Sequence, residues 1–352
     1  MTSMLIDTDV STTSKKSSHK KDPTPLPQNL ATQISKIHLE HEGKFITINS
    51  FLNSNFFSPK PKQISFETFY PKEEVKKLIK IYGSDVYNFS FSLSEAQKVK
   101  HNYLDHHPLH NSIRTKMVDW MIEVFYAYKS DPSTFFMAID IMDRYLAASS
   151  KKIGDGDIHL LGVVCIFIAS KMEDIAPLRM SHIIHTISHN KFTERQIRKK
   201  EKEILSVLDF KLVITSAYEL IGTIIADLEV NNASEISELK SEKYIKRLKK
   251  IAVFLAKMIT LSDEFSSKTA SEKSLACLIL AFDLLRSESP IELNAVVFLN
   301  QWITFLISSS PYSRTVTDTY HDIKAMYTNF ERIRQENVEQ WNINKDFGNT
   351  FE

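Results

Sequence analysis

The apolar pattern predicts an all-α chain folded as two similar helical bundles, and three observations carry that expectation. From Pro71 onward apolar residues recur at helical spacing, with almost no strand-like alternation. Two segments, "LLGVVCIFIASK" and "SLACLILAFDLLR", lie about 115 residues apart and are apolar around the whole helix. Each therefore reads as the central helix of its own bundle, with a boundary near Val213. Finally, 7 glycines among 352 residues leave little room for tight hairpins.

Residues 1–70 are rich in Ser, Thr, Asn, Lys and Pro and cannot bury enough apolar surface to offset their ordering entropy, so a disordered tail is expected. Helices follow at 73–81, 84–100, 111–128, 133–148, 157–172, 179–187, 193–208, 215–228, 239–260, 269–286, 291–307 and 315–337. Ser133 and Thr193 suit N-caps, while Pro177, Pro290 and Pro311 mark breaks. The resulting division is a tail over 1–70, an N-terminal helix and first bundle over 71–213, a second bundle over 214–338, and a tail over 339–352.

Composition excludes several functions. Scarce glycine argues against phosphate-cradling loops and dinucleotide fingerprints. A formal net charge of +1 gives no overall field to gather nucleic acid or an anionic membrane. Cys165 and Cys277 sit in apolar runs and read as buried reduced thiols of an intracellular protein. The longest apolar run, Leu160 to Ala169, falls far short of a bilayer span. No nucleophile, metal or kinase catalytic motif is assembled. His182, His185 and His189 have helical spacing, but surface histidines are the expectation over a zinc site.

Three helices carry a charge on the apolar face. In 111–128 the apolar residues cover roughly 200°, against the ~100° of an ordinary surface helix, and Arg114 points into the middle of that arc. Thr115, Lys116, Asp119 and Glu123 fall on the opposite, polar side. On the next helix Asp143 lies between Phe136 and Ile139. An inward Arg and an inward Asp on consecutive helices should pair, because an isolated buried charge is costly. Glu201 shares a face with Ile197, Ile204, Leu205 and Leu208, and its candidate partner is Lys171. That pair reads either as internal or superficial, or as the polar rim of an apolar binding surface.

These segments resemble the cyclin box of A/B-type mitotic cyclins. "NSIRTKMVDWMIEV" is similar to the family's MRAIL-VDW helix, "AIDIMDRYL" to its N-Y-I-D-R-F-L helix, and "LLGVVCIFIASKMED" to its L-L-A-S-K-F-E-E helix. "EKEILSVLDFKL" resembles the helix that ends V-L-x-F-x-L, and "IYGSDVYNFSFSLSEAQKVKHNYL" resembles the helix preceding the box. The five hallmark positions are Arg114, Asp143, Leu160, Lys171 and Glu201.

The resemblance implies two tandem cyclin-fold bundles behind an N-terminal helix and a disordered tail. It implies a regulatory subunit, not an enzyme, that activates a cyclin-dependent serine/threonine kinase in the nucleus and cytoplasm and needs no cofactor. Arg114 and Asp143 would hold the box together. Lys171, Glu201, Tyr82, Val86, Phe89, Ile168, Met172, Glu173 and Leu205 would meet the kinase. A docking patch for RxL-type substrates or inhibitors maps to Ile113, Met117, Trp120, Glu123, Ile158 and His159. Lys116 stands where the family has an aliphatic residue, His159 replaces Gln, and no RxxL or KEN destruction motif occurs. The alternative is a tandem cyclin-fold transcription factor or a transcriptional-type cyclin. Neither direct nucleic-acid binding nor a membrane is expected.

Overall fold

The computed structural model describes residues 72–341, save 111, 129, 239–240, 289–292 and 310–312. The expected tail over 1–70 lies outside the described residues, as do residues 342–352, Pro290 and Pro311, whereas residues 339–341, expected in the C-terminal tail, continue the last helix. The long helices are α1 (Lys72–Ala96), α2 (Ile113–Tyr128), α3 (Pro132–Ala148), α4 (Ile158–Glu173), α5 (Glu194–Val207), α6 (Ala217–Asn231), α7 (Glu242–Met258), α8 (Ala270–Glu288), α9 (Leu293–Ser309) and α10 (Ser313–Trp341). Among the described residues there is no strand, and no helix is long and apolar enough to cross a membrane.

Each bundle is organised around one helix. α4 packs on α2, α3 and α5, and its residues from Leu161 to Ser170 are all buried, as an all-round apolar sequence requires. α8 holds the same place among α6, α7, α9 and α10. Cys165 and Cys277 lie in these two central helices, and burial pushes both thiols up, which keeps them protonated and unreactive. The bundles meet where α3 packs on α6 and α2 on the 3₁₀ turn Ile259–Leu261. Phe136 and Tyr218 stack across that junction with ring centroids 5.6 Å apart.

Several elements differ from the sequence pattern. The helices expected at 73–81 and 84–100 are one helix, α1. Gly83 does not break it, because packing on α6 offsets the roughly 1 kcal/mol that a mid-helix glycine costs. A side chain there would stand 3.5 Å from Asp227. α1 precedes the first bundle in sequence, yet it packs on α6 and α8 of the second. The N-cap of α3 is Asp131, not Ser133: its carboxylate accepts from the Ser133 N–H, and Pro132 takes the first helical position, where no N–H is missed. Thr193 does cap α5, in a box with Gln196. The helix expected at 179–187 is one turn, Met180–His182, followed by a π turn over Ile183–Ile187.

Candidate functional site

The charge buried on α2 is bonded on every side. The Arg114 guanidinium, 2% exposed, donates two parallel hydrogen bonds of 2.7 Å to the Asp143 carboxylate, from Nε to Oδ1 and from Nη2 to Oδ2. Burial works against the guanidinium charge, but Asp143 outweighs it and the net shift of its pKa is upward. The network reaches beyond the first bundle. Arg114 Nη1 donates to the Thr260 carbonyl (2.9 Å), and the Ser266 hydroxyl donates to Asp143 Oδ2 (2.8 Å). The Tyr103 hydroxyl donates to Asp143 Oδ1 (2.8 Å). Thr115, expected on the polar face, is buried instead, because its hydroxyl donates to the Leu261 carbonyl of the second bundle at 2.9 Å. The ion pair thus joins the two bundles as well as two helices, which sequence reasoning missed because Thr260 and Ser266 lie over 100 residues away.

Lys171 and Glu201 form an ion pair between the end of α4 and α5. The Lys171 side chain is 38% exposed and lies over the Phe167 ring, 4.2 Å from its centroid. Burial and then Arg198 lower its pKa. Met172 and Ile175, next to the pair in sequence, are exposed apolar side chains, while Glu173 and Leu205 are half-buried. Leu160 is half-buried against the core. Ile168 departs from expectation: at 2% exposure it faces into the first bundle and offers no contact surface.

Beyond α5 the chain turns through Asp209 (φ 51°) and Phe210 (φ 55°), two non-glycine residues in the left-handed region. Hydrogen bonds from the Phe210 N–H to the Leu205 carbonyl (2.9 Å) and from Arg144 to the Lys211 carbonyl (2.7 Å) hold this turn. Phe210 is left 68% exposed beside the exposed Val213. Its signal in the sequence was an apolar residue inside a loop, "LDFKL".

Tyr82, Val86 and Phe89 share one face of α1 with Leu78 and Ile81, and all five are exposed. The opposite face carries Tyr87 onto the core and Ser94 to a 2.7 Å hydrogen bond with Ser271 of α8. α1 runs antiparallel to α6: Gln97 bonds the backbone at Val213 and Thr215, while Gly83 lies beside Asp227. The start of α6 in turn feels the end of α4, since Glu173 helps raise the Glu219 pKa after burial and against the Ser216 hydrogen bonds.

The expected docking patch divides. Trp120 meets His159 edge to face at 5.1 Å, His159 meets Phe192 at 5.3 Å, and Lys191 Nζ lies 3.2 Å from His159 Nδ1. Burial, Lys191 and His189 push the His159 pKa down to about 4, so the ring is neutral at physiological pH. Ile113, Trp120, Glu123 and His159 are half-buried and Lys116 is exposed. Met117 and Ile158, however, are buried and belong to the core. Met117 is drawn in at Gly162, whose missing side chain makes room for it where α2 crosses α4.

Burial, aided by Asp119, pushes Glu123 up to about 7, and burial pushes Asp119 up to about 6. The folded chain therefore holds these protons more tightly than the unfolded one. The linked stability is complete below about 4.5, the ordinary value, and is lost as pH rises toward about 7. Glu123→Gln should flatten this decline, which urea midpoints at pH 5 and pH 8 would show. Equal declines in both proteins would remove Glu123 as its source.

His182 lies near the Tyr128 ring and His185 bonds Asn190, and no group of three His, Cys, Asp or Glu able to hold a metal ion occurs among the described residues.

The family described as cyclin, N-terminal domain, matches residues 85–213. G2/mitotic-specific cyclin-2 of Antirrhinum majus is 30% identical over 170 residues, 46% of this chain and 38% of that protein. G2/mitotic-specific cyclin-B1 of Xenopus laevis is 27% identical over 206 residues, 58% of this chain and 48% of that protein. G2/mitotic-specific cyclin-A of Patella vulgata is 35% identical over 130 residues, 37% of this chain and 30% of that protein. The chain spans less than half the length of each of these relatives. A solved viral cyclin from herpesvirus saimiri aligns with 70% of this chain and 99% of its own at 18% identity, TM-score 0.49. Residues 85–213 match the cyclin N-terminal domain, and the chain is similar to G2/mitotic-specific cyclins, those of A and B type among them.

Proposed function

We propose that this chain is a regulatory subunit that binds and activates a cyclin-dependent protein kinase in cell-cycle control. One observation carries the reading: a half-exposed ion pair, Lys171–Glu201, flanked by large apolar side chains that the fold leaves in water. Met172 and Ile175 follow Lys171 in sequence, Phe210 stands in the turn after α5, and Tyr82, Val86 and Phe89 line α1. A partner that covers them removes apolar surface from water, and the pair supplies orientation by hydrogen bonding.

Activation follows as a population shift. A subunit that binds only the active arrangement of the kinase's C-helix stabilises it by the difference in binding free energy between the two states. The kinase then forms its own Lys–Glu pair and positions the ATP phosphates. Every catalytic residue belongs to the partner.

The chain should co-purify with a cyclin-dependent kinase catalytic subunit and fail to shift duplex DNA at physiological salt. Sequence-specific DNA retention without kinase would favour the transcription-factor alternative instead.

Substrate recruitment through the Trp120 patch is a second part of the proposal. Trp120→Ala should reduce phosphorylation of RxL-bearing substrates and leave a short peptide substrate untouched. Equal loss on both would mean that Trp120 only packs the bundle.

A further inference from the structure

We propose that the cavity between the two bundles is a binding site for a phosphate-class oxyanion. It has a volume of about 80 Å³, well above the ~10–15 Å³ that one water needs, and is large enough for a tetrahedral oxyanion. Its wall is built by the end of α1, by α3, by residues 214–217, and by the segment running from the end of α7 into α8. Hydroxyl groups are frequent in that wall, among them Ser262 and Thr269.

Among the charged side chains of the wall, Lys98, Arg114, Lys268 and Lys273 are cations and Asp140 and Asp143 are anions. Arg114 and Asp143 satisfy each other, and Asp140 is bonded to Arg144 at 3.1 Å. Three ammonium groups remain: Lys98, Lys268 and Lys273. Lys268 has only a distant contact of 4.0 Å with Asp322. Lys98 is exposed and lies near enough to Glu272 to help lower the pKa of that carboxyl. Lys273 is half-buried and makes no hydrogen bond or ion pair with any described residue, although Asp140 and Asp143 lie near enough to attract it.

A half-buried ammonium group without a hydrogen-bond acceptor carries a desolvation cost, and an anion in the cavity relieves it. The helix starts at α6 and α8 also face the cavity, but Glu219 and Glu272 already close their capping boxes. The lysines therefore have to supply the binding. Bound oxyanion would tie α1 and α8 together beside α3 and so favour the observed juxtaposition of the bundles. This site is independent of the kinase-binding face.

The test is thermal unfolding of the full chain in inorganic phosphate against sodium chloride at matched ionic strength. A saturable rise of a few degrees specific to phosphate is expected. Lys273→Met should weaken phosphate binding by about tenfold or more, the scale of one charge-assisted hydrogen bond. Lys98→Gln, which alters an exposed side chain and should fold normally, should weaken it several-fold. Displacement of phosphate by an O-phosphoserine peptide would assign the site to a phosphorylated side chain, and failure to displace would assign it to the free ion. An equal rise in chloride, or an undiminished phosphate response in the variants, overturns the proposal. Should Lys273→Met fail to fold, the 31P linewidth of phosphate with the wild-type chain decides, and an unbroadened line overturns it.

Discussion

Asp143→Ala should destabilise the chain by about 3–5 kcal/mol, because it strands a guanidinium that cannot shed its proton in the junction between two bundles. Among the described residues, the Thr260 carbonyl would be the hydrogen-bond acceptor left to Arg114. For a chain of this size the loss corresponds to a fall in Tm on the order of 10 °C. Arg114→Ala should cost less, since Asp143 keeps the hydroxyls of Tyr103 and Ser266 as donors, and a carboxyl can accept a proton where a guanidinium cannot lose one. Paired replacement by Met and Leu should recover much of the loss, as burying two apolar groups avoids desolvating two charges. Scanning calorimetry of the three variants checks the order. If Arg114→Ala proved the more damaging, the stranded cation would not be the dominant cost.

Glu201→Ala should weaken kinase binding by about 2–5 kcal/mol, the cost of removing one member of a hydrogen-bonded charge pair once a partner has covered it. The same substitution should hardly change the stability of the free chain. Lys171 is 38% exposed there, and a pair so placed contributes about 0–1 kcal/mol. This separation identifies a binding residue: titration calorimetry with a purified kinase subunit should show the loss, while urea unfolding of the free variant should not. A large loss of stability with intact binding would make the pair structural.

Much of this was legible in the sequence because misfit charges are rare and informative. Arg114 and Asp143 stood out where a helical wheel demanded apolar residues, and Lys171 and Glu201 stood out for the same reason. The two central helices were visible as sequences with no polar side. Three kinds of feature were not legible. Thr115 looked superficial because its partner, the Leu261 carbonyl, comes from the other bundle. Lys257 sits fully buried in α7, over the Phe135 ring at 5.8 Å, and burial pushes its pKa down to about 6. The helical pattern around it gave no warning. Met117, Ile158 and Ile168 were assigned outward by the resemblance, yet all three are buried in the first bundle. For Met117 the cause is the close approach of α2 to α4 at Gly162.

The most direct measurement is the activity of a purified cyclin-dependent kinase catalytic subunit as this chain is titrated into it, read by histone phosphorylation. A regulatory subunit should raise the rate saturably, with a half-maximal concentration equal to the dissociation constant from direct binding, and Glu201→Ala should move both together. An unchanged rate at concentrations where binding is saturated would contradict activation, and absence of binding would contradict the kinase-binding face itself.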